Sequence, residues 1–149
     1  MEQAIHKLQG LLTSGSDTIA NCSQSELIDK TSPKKWSKIE LLGHLVDSAL
    51  NNLQRFTEIQ FAEKPYQVRK YNQDELVKAN NYQQANPVEL TKLWLSLNRR
   101  IMAVMEYQTE HTLSYTIEID AGELSNLRFL MTDYVDHLEH HLKQMAIDI

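Results

Sequence analysis

The sequence predicts an all-α fold, a four-helix bundle with one long crossover connection, and two observations carry that prediction. Apolar residues recur at helical spacing along four long segments, and one extended stretch rich in turn residues, from Glu63 to Asn86, separates the second segment from the third. At 149 residues the chain has the length of one ordinary domain, long enough to bury a continuous core without disulfides or a metal staple. Residues 1–149 are therefore expected to form a single domain.

The first helix is expected from about Gln3 to Asn21, since Ile5, Leu8, Leu11 and Leu12 share a face that Ile19 extends past the weak point Ser14-Gly15-Ser16. Pro33 disfavours helix before it, and Ser37 with Glu40 three residues later forms a capping-box pattern. From there Ile39, Leu42, Leu45, Val46, Ala49, Leu50 and Leu53 keep a period near 3.6, giving a second helix to about Gln60. Lys64-Pro65-Tyr66 ends it. Asn72 can cap a short helix within the long connection.

Asn86 followed by Pro87 is a favoured helix start, and Leu90, Leu93, Trp94, Leu97, Ile101, Val104 and Met105 continue a third helix to about Gln108. Residues Thr112 to Ile119 alternate and are β-branched, so they read as a short, isolated strand closed by the turn Asp120-Ala121-Gly122. The fourth helix is expected from Glu123 to near the C-terminus. At about 25 residues and about 37 Å it would match the second and third helices.

Composition narrows the function. A net charge of −5 with scattered basic residues argues against nonspecific nucleic-acid binding, and Lys34, Lys35 and Lys38 beside a turn read as a solvated loop. The lone Cys22 excludes an internal disulfide, gives no zinc-finger spacing and has no neighbour in sequence that marks it as a nucleophile. No stretch approaches the roughly 18 or more apolar residues of a membrane span. The N-terminus opens directly into an amphipathic pattern rather than a leader, so a cytoplasmic location is expected.

The chemistry-bearing residues are histidines. On the fourth helix His141 falls inside the apolar stripe and His137 lies on its margin, whereas His140 projects away near Asp133 and Gln144. Two imidazoles at i and i+4 on an inward edge can converge on one divalent ion. On spacing alone the pair reads equally well as two neutral, hydrogen-bonded side chains at the core boundary. A zincin peptidase is disfavoured, because Leu138 stands where that motif needs glutamate. On the second helix His44 aligns with Ser37, Ser48, Asn51 and Arg55, a polar line that suits a facing ligand or a solvated face.

Trp36-Ser37 followed by Gly43-His44-Leu45, together with Asp133-Tyr134-Val135-Asp136-His137-Leu138-Glu139-His140-His141-Leu142-Lys143-Gln144, resembles the DinB and YfiT-like family of metal-binding four-helix bundles. Asn51 and Arg55 also match family positions. The resemblance implies a metal triad of His44, His137 and His141, with zinc or nickel as the expected ion. Such a set leaves coordination positions open for water or substrate, as a catalytic site requires.

It further implies either hydrolysis or S-transfer with a low-molecular-weight thiol, so a small-molecule substrate is expected, and relatives that pair make a homodimer an expectation. The rival reading is a noncatalytic binding or scaffold protein with a vestigial metal site. Asp47 and Glu139 are candidate bases or acceptors around the ligands, and Arg55 is a candidate partner for an anionic substrate. Each has an ordinary structural reading as well.

Overall fold

In the computed structural model, which describes residues 1–145, the elements run α1 (Glu2–Asn21), α2 (Gln24–Ile28), α3 (Lys38–Glu58), β1 (Tyr66–Gln67), α4 (Gln73–Ala79), a 3-10 turn (Tyr82–Gln84), α5 (Pro87–Glu106), α6 (Glu110–Leu113), β2 (Thr116–Asp120), β3 (Glu123–Asn126) and α7 (Leu127–Gln144). Side chains satisfy the free N–H groups at the start of three long helices. Ser37 accepts from Glu40 N in a full capping box before α3, Asn86 accepts from Val88 N and Glu89 N before α5, and Asn126 accepts from Phe129 N before α7. Pro87 occupies the first turn of α5, where its missing N–H costs nothing.

The four long helices α1, α3, α5 and α7 form the bundle. Both α1 and α3 pack against α5 and α7, so α1 lies diagonally across from α3, and α5 across from α7. This order sets α3 beside α7. Trp94, Phe56, Leu8, Leu42, Ile101 and Met131 are fully buried between the helices. The weak point in α1 is no break: a Cβ built on Gly15 would come within 2.9 Å of Trp94 Cη2 and 3.2 Å of Leu142 Cδ2, so glycine lets α1 approach α5 and α7 closely.

The expected isolated strand is corrected in three ways. Thr109 and Thr112 cap each other and wind Glu110–Leu113 into one helical turn, so the strand begins only at Thr116. It is not isolated, because β2 pairs antiparallel with β3 and parallel with β1, in the order β1-β2-β3. Residues Glu123–Asn126, expected as the first turn of the fourth helix, are the return strand β3. Gly122, at φ +81°, reverses the chain between them. The helix therefore starts at Leu127, where Asn126 caps it, and its expected extension beyond residue 145 lies outside the described residues.

Candidate metal centre

The adjacency of α3 and α7 brings His44 against His137 and His141. His44 is fully buried, His141 is 8% exposed, and His137 is half-buried. All three present Nε2 to a common point: Nε2 of His44 lies 3.4 Å from that of His137 and 3.1 Å from that of His141, and the latter two are 3.1 Å apart. Among the described residues these three imidazoles form the cluster of side chains whose ligand atoms come close enough to share an ion. His140 is exposed and stays outside the cluster, as its place on the helix indicated. His6 and His111 are exposed and stand outside it as well.

Burial makes the cluster electron-rich rather than cationic. Desolvation, reinforced by the other two imidazoles, lowers the His44 pKa to about 3. Desolvation and the neighbouring histidines lower that of His137 to about 4. His141 is lowered too, by burial, although its bond to Gln144 acts in the opposite direction. Near neutral pH all three rings are uncharged and have lone pairs to offer.

The side chains around the cluster fix its geometry. His141 Nδ1–H donates to Gln144 Oε1 at 2.8 Å, which commits its proton to Nδ1 and leaves Nε2 a bare lone pair facing the cluster. Gln144 in turn donates from Nε2 to His140 Nε2 at 2.9 Å, so His140 acts at one remove. Trp36 covers His44, with ring centroids 5.0 Å apart and planes at 35°. The Trp36-Ser37 pair thus does two jobs in adjacent positions: one side chain covers His44, the other caps its helix.

Asp47, Glu139 and Arg55 prove to have structural duties. Asp47 is 4% exposed, and its Oδ1 accepts from Tyr82 Oη at 2.7 Å and Asn80 Nδ2 at 3.0 Å; burial raises its pKa. Tyr82 reaches it by lying flat across α3 at Gly43, where an added Cβ would fall 2.1 Å from the ring. Glu139 is bridged by Lys7 and Lys143, which hold its carboxyl well below the usual range, at about 2. Arg55 donates to Asn52 Oδ1 and to the Arg69 carbonyl and stacks over Tyr71, so its guanidinium is committed to the bundle end. Asn51 donates to the backbone carbonyl of Asp47.

Sequence reasoning gave no role to Gln144 or to the stacking of Trp36. The signal for Gln144 was present: it stands three residues after His141 and four after His140, the spacings at which helical side chains meet. Nothing local marks the Trp36 contact, because it joins the loop before α3 to a residue two turns into that helix.

The residues present fit a divalent ion. Tetrahedral coordination with metal–nitrogen bonds of about 2.0–2.1 Å separates ligand nitrogens by about 3.3 Å, and the three observed separations of 3.1, 3.1 and 3.4 Å bracket that spacing. Three converging lone pairs repel one another unless a proton or a cation lies between them, and Gln144 has already fixed the His141 proton elsewhere. The fold and this cluster define a helical bundle with a buried three-histidine centre compatible with a metal ion.

The sequence model of the DinB superfamily matches residues 8–145, and the chain belongs to that superfamily. A protein from Bacillus subtilis, YfiT, described as a probable metal-dependent hydrolase with an unusual four-helix bundle topology, has the same fold at 20% identity and a TM-score of 0.87, over 97% of this chain and 83% of that one. A mycothiol-dependent maleylpyruvate isomerase matches at 14% identity and a TM-score of 0.77, over 98% of this chain. This chain spans only 60% of the isomerase's length. A conserved protein from Enterococcus faecalis matches at 14% identity and a TM-score of 0.74, over 97% and 92% of the two chains. Comparison with curated protein sequences gives no significant match. Among the described residues no helix is long and apolar enough to cross a membrane.

Proposed function

We propose that His44, His137 and His141 hold one divalent ion, zinc or nickel, and that the protein is a metal-dependent enzyme acting on a small molecule through a bound water or a low-molecular-weight thiol. The observation that carries this reading is the convergence of three desolvated, uncharged imidazoles on one point with, among the described residues, no carboxylate or thiol completing the set. Three neutral ligands leave the full charge of a divalent ion uncompensated, which suits acid catalysis better than a closed structural site. A metal held there would bring a bound water or thiol to its anionic form near neutral pH.

The protein's own groups supply orientation and exclusion. Gln144 holds the His141 ring with its lone pair inward, and Trp36 closes the α3 side of the cluster against solvent. His137, the least buried of the three, marks the side from which a substrate would enter. Structural relatives described as a probable metal-dependent hydrolase and as a mycothiol-dependent isomerase support both chemistries, water and thiol, on this fold.

The test is metal analysis of the untagged chain and of His44→Ala, His137→Ala and His141→Ala, each checked for helical content, followed by screens for thiol conjugation and for ester or amide hydrolysis. About one equivalent of metal in the parent and its loss in each variant are expected. Stoichiometric metal in all three variants would overturn the triad. Metal retained by the parent with no turnover in any screen would favour a noncatalytic binding role for the same centre.

A further inference from the structure

Two carboxyl side chains flank His44 one turn away on the same side of α3: Glu40, four residues before it, and Asp47, three after it. Their situations differ. Glu40 is fully engaged, with both oxygens bridged by Lys30 and Oε2 also accepting from the Ser37 amide at 2.9 Å. Asp47 is engaged on one side only. Its Oδ1 takes the bonds from Tyr82 and Asn80, while Oδ2 is buried with no partner among the described residues.

His44 is left in a matching condition. Its Nε2 faces the cluster, and its Nδ1 is likewise buried without a partner. A buried ring nitrogen that carries the proton requires an acceptor. Gln108 Oε1 is the other unpartnered buried acceptor among the described residues, but it shares a cleft with Thr57 and Gln60, about 20 Å along α3 from His44 at 1.5 Å per residue. Trp94 Nε1, also unpartnered, is a donor and offers His44 Nδ1–H nothing.

Side chains three apart on a helix carry Cβ atoms about 5–6 Å from each other, and His44 Nδ1 and Asp47 Oδ2 each stand two bonds from their Cβ. That separation suits one bridging water, whose two hydrogen bonds of about 2.8–3.0 Å span the same distance. A buried water needs at least two polar partners, and this pair supplies a donor and an acceptor.

We propose that Asp47 is a positioning residue of the cluster: one buried water accepts from His44 Nδ1–H and donates to Asp47 Oδ2, which holds the His44 proton away from the three converging nitrogens. The connection between α3 and α5 thereby reaches the cluster, since Tyr82 and Asn80 fix the carboxyl that fixes the ring. Gln144 does the same for His141 directly. With both rings committed, His137 is the one member of the cluster that places its proton inward in the metal-free chain. A single proton then has to move, from His137 Nε2 to Nδ1, when an ion enters. The proposal rests on the metal reading for that consequence, but not for where the His44 proton lies.

Imidazole nitrogen NMR on the metal-free chain at neutral pH tests it, with the His44 ring identified by its loss in His44→Gln. The Nδ1–H tautomer is expected, with a cross-peak from that proton to water. In Asp47→Asn one oxygen still serves Tyr82 and Asn80, but the amide turns a donor toward the water, so the His44 proton should shift to Nε2. Tyr82→Phe keeps both carboxyl oxygens and should leave it on Nδ1. Competition with a fluorescent chelator should show zinc affinity about 10- to 100-fold lower in Asp47→Asn.

A His44 proton on Nε2 in the parent, or no cross-peak to water, would overturn the proposal whether or not the variants fold. So would a proton that stays on Nδ1 in Asp47→Asn, one that leaves it in Tyr82→Phe, or a zinc affinity unchanged beside a shifted proton. Failure of the parent to bind zinc would sink the metal reading instead, and the NMR would still decide the place of the proton.

Discussion

A histidine becomes a good metal ligand when its proton is placed on the nitrogen that does not face the ion, and here Gln144 does this for His141. Replacing it by an apolar side chain of similar size should leave the helix intact and release that constraint. Gln144→Leu is expected to weaken metal affinity by about 10- to 100-fold, measured by competition with a chromophoric chelator, while thermal unfolding of the metal-free protein changes little. Gly43 presents a steric constraint. With Tyr82 carbons 2.1 Å from where a Cβ would sit, Gly43→Ala must push the ring off α3 and break its bond to Asp47. A loss of about 1–3 kcal/mol is expected from overpacking, read by urea unfolding, with a further cost if Asp47 is left buried without its donors.

At the scale of elements, α3 carries a cluster histidine about two turns from its own start, so its N-terminal cap helps to hold His44 in place. Ser37 Oγ accepts from Glu40 N and itself donates to Gln83 Oε1 at 2.7 Å, tying the helix start to the long connection. Ser37→Ala should destabilise the protein by about 1 kcal/mol, and Ser37→Asp, which retains a cap acceptor, should recover part of that in the same denaturation assay. The small sheet is the element least legible in the sequence. Glu123-Leu124-Ser125-Asn126 fits the apolar pattern of the following helix, yet the hairpin reversal at Gly122 and the cap at Asn126 pair it with β2 instead. β1, only two residues long, gains its strand character from a partner some fifty residues away in sequence, Ile117, and no local pattern encodes that.

For the molecule as a whole, burying neutral imidazoles links stability to pH. In the unfolded chain histidine titrates near 6.5, whereas the folded values of His44 and His137 lie at about 3 and about 4. The unfolded state therefore binds more protons below pH 6.5, and the metal-free fold should lose stability as pH falls from 6.5 toward 4. Above 6.5 these groups contribute no pH dependence. The raised pKa of Asp47 acts in the opposite sense, favouring the folded state as it takes up its proton. The histidine share is isolated by comparison: urea unfolding of His44→Gln should show a shallower decline over the same window, and an unchanged slope would count against buried neutral imidazoles. Metal, where bound, should dissociate more readily across that range as protons compete for the same lone pairs.

The sequence by itself determined the four long helices and the starts of the first three, because capping side chains and a 3.6-residue period are local properties. It likewise placed His141 inward, His137 at the margin and His140 outward, since a helical wheel requires no knowledge of neighbours. Only the tertiary structure decided that α1 faces α3 across a diagonal, leaving α3 and α7 side by side with His44 opposite the other two histidines. It also decided that Asp47 Oδ1 and Arg55 bond to the scaffold, and that Trp36 and Gln144 touch His44 and His141. Helix order, like sheet pairing, is set by which surfaces bury best against one another over long separations along the chain. No window of sequence contains that comparison.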